Sequence, residues 1–297
     1  MKILVAGLKK NSQLLRLQEE GKKRGHVVQG CLASELKTFA SSEEFIPEIT
    51  GKSLKSYDLI YLMVSKRRWE WYMAAYYLKK TKGTIIVNNK VIDPSFPMYL
   101  TPVSDYFRQR EKRLPFPKSV VIYSSKYVEY IESKISYPMV IKPISGRQGR
   151  DVIKISSQKE LLEGVDKILK NSIACVIREF IPNDGDIRVF TVGYKAVGAM
   201  QRIPKKGDFR SNISQGGTGI NYDLKDKEEV RRIAEKAAFV VQTEIAGVDI
   251  IIDKNTGKPY ILEINPSPQF AGIEKFTSSN IALEIIKYFE KLYETTG

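Results

Sequence analysis

Pro94, Pro97, Pro102, Pro115 and Pro117 crowd into one short stretch of the 297-residue chain. Each proline fixes φ and removes a backbone donor, so residues 91–118 cannot be a central strand or a long helix. The stretch reads as a connector, with at most one helix around Ser104–Lys112, and it divides the chain in two. On its N-terminal side, strand and helix signals alternate, the α/β pattern. Lys2–Gly7, His26–Cys31, Tyr57–Val64 and Thr84–Asn88 read as strands, and Gln13–Arg24 and Trp69–Lys80 as helices. The near-continuous apolar content of Tyr57–Val64 suits a parallel strand covered on both faces. The first turn, Gly7-Leu8-Lys9-Lys10, lacks the Gly-x-Gly-x-x-Gly spacing of a dinucleotide fingerprint. The first half is therefore expected to be a Rossmann-like layer without that layer's usual cofactor.

Beyond the prolines, strands are expected at Val120–Tyr123, Met139–Lys142, Val152–Ile155 and Cys175–Phe180, and a helix at Gln158–Leu169 with Ser157 as its N-cap. After Pro182 come strands at Ile187–Val192, Ala196–Gln201, Val248–Ile252 and Tyr260–Ile264, with helices at Lys227–Thr243 and Ile281–Tyr293. Asp226 and Glu229 have the spacing of a capping box for the first of these helices.

Composition narrows the function classes. With 42% hydrophobic and 28% charged residues the chain is a soluble globular type. It has no apolar run of the ~20 residues that a membrane span needs. Cys31 and Cys175 lack metal-ligand spacing and form no disulfide framework. A single His26 argues against a histidine zinc site and a Ser-His-Asp triad. The N-terminus reads directly as a strand with no room for a signal peptide, so a cytoplasmic location is expected. The charge is uneven: residues 1–140 carry 24 basic against 13 acidic residues, and residues 141–297 carry 24 against 21. Such an excess suits an acidic partner or a plain lysine-rich surface. Lys66-Arg67-Arg68, followed by Trp69, Trp71 and Tyr72, offers either nucleic-acid stacking or a helix that buries aromatics and exposes basic residues. The second is expected, and nucleic-acid binding by the basic half is the lesser alternative.

Four features of the second half carry chemistry. The loop Ser145-Gly146-Arg147-Gln148-Gly149-Arg150 suits a backbone anion cradle or a simple hairpin tip, and it lacks the Walker pattern. Lys142 ends an apolar strand and points either to solvent or into a cleft. Gly207-Asp208-Phe209-Arg210-Ser211-Asn212, followed by Gln215-Gly216-Gly217-Thr218-Gly219, is a long loop of the kind that tends to be functional. Glu263 and Asn265 share one strand face, and Asp249 joins them if its strand pairs through the turn Asp253–Lys258. These hard oxygen donors suit magnesium completed by phosphate oxygens, the alternative being a solvated strand face.

Taken together, residues from about Pro138 to Tyr293 resemble an ATP-grasp ligase of the RimK type. The resemblance rests on Asp186-Ile187-Arg188, Gly207–Asn212, Ala246-Gly247-Val248-Asp249-Ile250, Glu263-Ile264-Asn265-Pro266-Ser267-Pro268 and Gly272-Ile273-Glu274-Lys275, in that order. It implies α/β and α+β architecture: a Rossmann-like pre-grasp domain over 1–95, a connector over 96–118, a lid subdomain over 119–182 and a C-terminal α+β subdomain over 183–297. It also implies roles. Lys142 would meet ATP, and Ser145, Gly146 and Gly149 would close over its phosphates. Glu179, Phe180 and Ile181 would present backbone to adenine, and Asp186 would read the ribose. Arg210 and Asn212 would hold the transferring phosphoryl group, and Ser211 would belong to the nucleotide-binding set. Asp249, Glu263 and Asn265 would bind one or two Mg²⁺ ions, with Mn²⁺ as a substitute. Arg188 and Arg202 would grip the acyl phosphate or a substrate carboxylate.

The implied activity is ATP-dependent ligation of a carboxylate and an amine through an acyl phosphate. It would join glutamate or another amino acid to a peptide, protein or small-molecule acceptor, an acidic one fitting the basic first half, in a dimer or tetramer. A nucleotide-binding regulator without ligase activity is the alternative. One departure stands out. The family has a helix opening with Asp-Lys after its first domain, whereas Ile92-Asp93-Pro94-Ser95-Phe96-Pro97 lacks that pair, with Lys90 or Lys112 the candidates to stand in.

Overall fold

The computed structural model describes residues 1–64, 68–93, 96, 102–144, 151–211 and 217–296, with backbone only at 68, 102 and 296. The chain opens with β1 (Lys2–Ala6), α1 (Ser12–Lys23) and β2 (Val27–Cys31). Asn11 caps α1, its side-chain oxygen accepting from the Leu14 N–H at 2.9 Å. Next comes a small antiparallel sheet of β3 (Leu36–Ala40), β4 (Phe45–Ile49) and β5 (Lys52–Ser53). Sequence patterning did not reveal it, because β3 buries only Leu36 and has no apolar alternation. Then β6 (Leu59–Leu62), α2 (Arg68–Lys82) and β7 (Ile85–Val87) complete a four-stranded parallel sheet in the order β2-β1-β6-β7.

Alternation divides this sheet's side chains between two cores. Leu4, Ala6, Ile60 and Leu62 pack with α2, while Ile3, Val5, Leu59 and Tyr61 pack with Leu14 and Leu17 of α1. On α2, Trp71 is 1% exposed and its indole N–H donates to the Ala33 carbonyl at 3.1 Å. Trp69 is 58% exposed, so the expectation of buried aromatics holds for one tryptophan and not the other.

The connector carries α3 (Pro102–Glu111) and leads into β8 (Ser119–Ile122), α4 (Val128–Glu132), β9 (Met139–Pro143), β10 (Ile153–Ile155), α5 (Gln158–Leu169) and β11 (Cys175–Glu179). Ser157 caps α5. The four strands form an antiparallel sheet in the order β10-β9-β11-β8. Ile141, Ile155, Cys175 and Ile177 form one core with α4 and α5. The register sets Lys142 opposite Val176, and Val140 opposite both Arg178 and Lys154. Lys142, Lys154 and Arg178 thus share the other face.

The last region contains β12 (Asp186–Val192), β13 (Lys195–Ile203), β14 (Thr218–Asn221), α6 (Glu228–Val240), β15 (Ile245–Ile252), β16 (Pro259–Asn265), α7 (Ala271–Phe276) and α8 (Ile281–Thr296). Its sheet runs β14-β13-β12-β15-β16, all antiparallel. The capping box expected from Asp226 and Glu229 does not form. Lys227 is the N-cap and makes no side-chain cap bond, so Glu229 stands one position short of the reciprocal site.

Ile187, Val189, Val248 and Ile250 pack on α6. On the other face of β12, Asp186 and Arg188 are followed by Phe190 and Val192. These two apolar residues join Ile281, Ile285 and Phe289 of α8 and Ile3, Val5 and Tyr61 of the first sheet in one core. α8 therefore serves both sheets, and Glu290 accepts from Arg24 (2.7 Å) and meets His26 (2.8 Å) at its edge. Apolar packing ends halfway along β12, and the charged residues begin there. Cys31 and Cys175 are free and buried. Among the described residues no helix is long and apolar enough to cross a membrane.

Candidate nucleotide and metal site

The charged half of the C-terminal sheet is an interlocked grid. Asp186 stands opposite Arg202 on β13, and Arg188 opposite Asp249 on β15. Both arginines grip carboxylates with two nitrogens: Arg188 donates to both oxygens of Asp249, one at 2.8 Å, and Arg202 donates to both oxygens of Asp186, with Nε at 3.0 Å. Arg202 also reaches Asp249 at 2.8 Å, and the Ser211 hydroxyl donates to Asp186. All four charged residues are buried. Burial works against the Asp249 carboxylate, but Arg188 and Arg202 outweigh it and hold the group down at about 2. Gly247 makes room for the grid, since a Cβ there would meet Pro268 Cβ at 2.9 Å and Arg188 Cδ at 3.1 Å.

The sheet edge next to the grid is different. The register places Glu263 opposite Asp249 and Asn265 opposite Gly247, which puts Glu263 beside the grid. Glu263 is exposed and makes no hydrogen bond or ion pair among the described residues. The Asn265 side-chain oxygen accepts from the Ser267 N–H at 2.9 Å. Lys142 points into the cleft, not to bulk solvent. Burial and the nearby Arg178 pull its ammonium below the ordinary lysine range, against the attraction of Glu263, Tyr106 and Asp249.

Two side chains of α3 enter this cleft that sequence reasoning missed. Tyr106 accepts at its hydroxyl from Arg178 (2.8 Å), and Arg178 also donates to the Leu262 carbonyl (2.9 Å). One guanidinium thus ties α3, the β8–β11 sheet and β16 together. Asp105 lies next to Tyr106, and its Oδ1 is buried with no hydrogen-bond partner. Burial, with Glu263 close by, pushes its carboxyl up to about 7 against the pull of Arg108 and Lys142. The proposed stand-ins lie elsewhere. Lys90 pairs with Asp93 at 2.6 Å, and Lys112 is exposed. The helix that follows the first domain is α3, later than Ile92–Pro97, and its first turn holds Asp105 followed by tyrosine instead of lysine.

A cavity of about 550 Å³ opens between β10 and the loop at 205–210, lined by Val152, Lys154, Lys205, Lys206, Phe209 and Arg210 among others. The Lys154 ammonium lies 3.8 Å from the Phe180 ring centroid, and Phe209 meets Phe180 edge-on at 6.3 Å. Asp208 holds Arg210 at 2.8 Å. Next to the cavity, Glu179 and Phe180 donate their N–H groups to the carbonyls of Lys118 and Pro138, and the Ile181 carbonyl accepts from Asn183. Ser145, Gly146, Gly149 and Asn212 lie outside the described residues.

The donors fit a hard cation. Glu263 has both oxygens open among the described residues, Asp105 has an oxygen without a donor, and Asn265 adds an amide oxygen. Asp249 is already held by two arginines and would contribute remaining lone pairs. Among the described residues no three His, Cys, Asp or Glu side chains converge on one point, so phosphate oxygens or water must complete any such site.

Comparison with known proteins bears on the family and the fold. Residues 109–289 match the model of the RimK-like ATP-grasp domain. A probable alpha-L-glutamate ligase of Coxiella burnetii (strain RSA 493 / Nine Mile phase I) is 31% identical over 98% of this chain and 96% of its own length. The ATP-grasp ligase PsnB, solved with a minimal precursor, superposes with a TM-score of 0.73 over 99% of each chain at 19% identity. A RimK domain ATP-grasp protein from Sphaerobacter thermophilus does so with a TM-score of 0.69 over 97% of this chain and 99% of its own, at 15% identity. At these identities the two structures report on fold.

Proposed function

The chain belongs to the RimK-like ATP-grasp family of ATP-dependent amide-bond-forming ligases, and from that premise we propose that it joins glutamate or a similar amino acid to an acidic peptide, protein or small-molecule acceptor, using ATP and magnesium at the cleft between the β8–β11 sheet and the β12–β16 sheet. The observation that carries the site is that Lys142 of one sheet lies within electrostatic reach of Glu263 and Asp249 of the other, the two sheets being tied by Arg178 to the Leu262 carbonyl. Phosphoryl transfer asks for positioned cations and hard oxygen ligands, with no covalent nucleophile from the protein.

In the proposed reaction a substrate carboxylate oxygen attacks the γ-phosphorus, the bridging P–O bond breaks and ADP leaves. An amine then attacks the acyl carbon, the C–N bond forms, phosphate departs with the C–O bond, and the amine loses its proton to solvent. Lys142 and Arg210 would draw negative charge from the phosphates. Asp249, Glu263 and Asn265, with Asp105 beside them, would hold magnesium, which when bound neutralises phosphate charge. Ser145, Gly146 and Gly149 would cover the phosphates and keep water from the acyl phosphate. Glu179, Phe180 and Ile181 border the cavity where the adenine would lie.

Asp186, Arg188 and Arg202 take a different part in this proposal. Their mutual pairing supports a scaffold for Asp249 and Ser211 more than direct contact with ribose or substrate. The basic excess of residues 1–140 favours an acidic acceptor. PsnB was solved with a precursor, which supports a peptide acceptor. The test is ADP release in mixtures of ATP, magnesium, amino acids and acidic peptides, with mass spectrometry of the products. ADP release that needs both an amino acid and an acceptor is expected. Failure of every combination, or full turnover by Glu263→Ala, would remove the proposal.

A further inference from the structure

We propose that Asp105 is a further oxygen ligand of the divalent cation, shared with Glu263, so that cation loading clamps the connector helix α3 onto β16. This rests on the nucleotide–magnesium site proposed above.

Among the described residues, four buried side-chain atoms lack a hydrogen-bond partner: Thr84 Oγ1, Asp105 Oδ1, Gln109 Oε1 and Tyr222 Oη. Of these, Asp105 alone ordinarily carries charge at neutral pH, and Glu263 and Lys142 of the proposed site lie close enough to act on it. Its position is fixed. Tyr106, the next residue, stacks on Phe116 (5.3 Å) and is held by Arg178, which also grips the carbonyl of Leu262, the residue before Glu263. The helix is thus pinned beside the strand that carries Glu263, with the Asp105 carboxyl within electrostatic reach of that residue.

A desolvated carboxylate oxygen without a donor is costly, and a second carboxylate nearby raises the cost. The cations within range, Arg108 and Lys142, offset only part of it. Arg108 lies over the Phe96 ring at 3.7 Å, and Lys142 makes no hydrogen bond to Asp105. Two carboxylates with an amide oxygen and phosphate oxygens form a donor set that a hard divalent cation accepts. The cation would neutralise both carboxylates at once. Because Arg178 already links α3 to the β8–β11 sheet, loading would also steady that sheet against β16.

Mn²⁺ binding in the presence of ADP, followed by electron paramagnetic resonance, tests this without turnover. Asp105→Asn is expected to weaken Mn²⁺ binding by about 10-fold or more. Its metal-free melting midpoint should be unchanged or higher, since a neutral amide replaces an unpaired buried carboxylate. Asp105→Glu, which keeps the charge, should bind Mn²⁺ better than Asp105→Asn. Mn²⁺ affinity within about twofold of the native protein, or a lowered midpoint with unchanged affinity, would overturn the assignment. Should Asp105→Asn not fold, Asp105→Ser carries the same expectation. Glu263→Gln separates the two levels. If it loses Mn²⁺ and Asp105→Asn does not, the role of Asp105 alone fails. If neither loses Mn²⁺, the underlying site fails with it.

Discussion

Two clusters of charge lie side by side, and they are built on opposite plans. In the grid of β12, β13 and β15, Asp186, Arg188, Arg202 and Asp249 answer one another, and each is buried. At the adjoining cleft, Asp105, Lys142 and Glu263 come from three different elements and make no hydrogen bond to one another. The grid is complete without any ligand. The cleft brings desolvated Asp105 and Lys142 beside the exposed Glu263, and among the described residues none of the three has an ion-pair partner. Charges of the first kind should matter to folding, and charges of the second kind to ligand binding.

The sharpest break between the two would come from Glu263→Gln. ADP formation should fall at least about 100-fold, beyond the range of outer ligand partners, with unfolding in urea little changed. A large stability loss would place Glu263 with the grid. Arg188→Met should show the reverse pattern. It removes one partner from a buried pair, so unfolding free energy should fall by about 3–5 kcal/mol. A loss well under 1 kcal/mol would mean that Arg202 alone suffices for Asp249. Gly247→Ala crowds Pro268 and the Arg188 side chain, and a cost of roughly 1–3 kcal/mol is expected from urea melts. Unchanged stability would show that Arg188 moves freely and that the grid is looser than it looks.

The first half of the chain could be read more fully from sequence than this pair of clusters. β1, β6, α1 and α2 announce themselves because apolar residues recur at the period of the element and both sheet faces are covered. β3 to β5 stay hidden, since β3 exposes all but Leu36, Pro47 interrupts β4 and β5 has only two residues. At the site, the strand motifs around Asp249 and Glu263 mark themselves as carboxylates in apolar runs, and register then sets them opposite each other. What sequence cannot give is which charge answers which. The carboxylates that hold Arg188 and Arg202 come from other strands, and Asp105 lies near Glu263 where Arg178 docks a helix of the connector beside β16. Such pairings depend on tertiary packing between distant segments.

The smallest effect concerns the seam between the first sheet and α8. Hydrogen bonding from Arg24, with His26 adding, holds the Glu290 carboxyl below the usual glutamate range. A lowered carboxyl stabilises the fold above its unfolded pKa, and that contribution is lost as pH falls through the folded value. Glu290→Gln should therefore flatten the acid side of the stability profile below about pH 4.3, by about 1 kcal/mol or less for so exposed a pair. An unchanged profile would remove this seam from the account.

The central claim is that the unpaired charges serve a ligand and the paired ones serve the fold. Thermal melts of the native protein, Glu263→Gln and Arg188→Met, each with and without magnesium and ADP, test it most directly. At about 100 times its Kd a ligand adds about 2.7 kcal/mol, enough to raise the native midpoint by several degrees. The account predicts that Glu263→Gln melts like the native protein when ligand-free and gains little from ligand, and that Arg188→Met melts early from the start. A ligand-free Glu263→Gln that melts as early as Arg188→Met, or one that gains the full native shift, would contradict it.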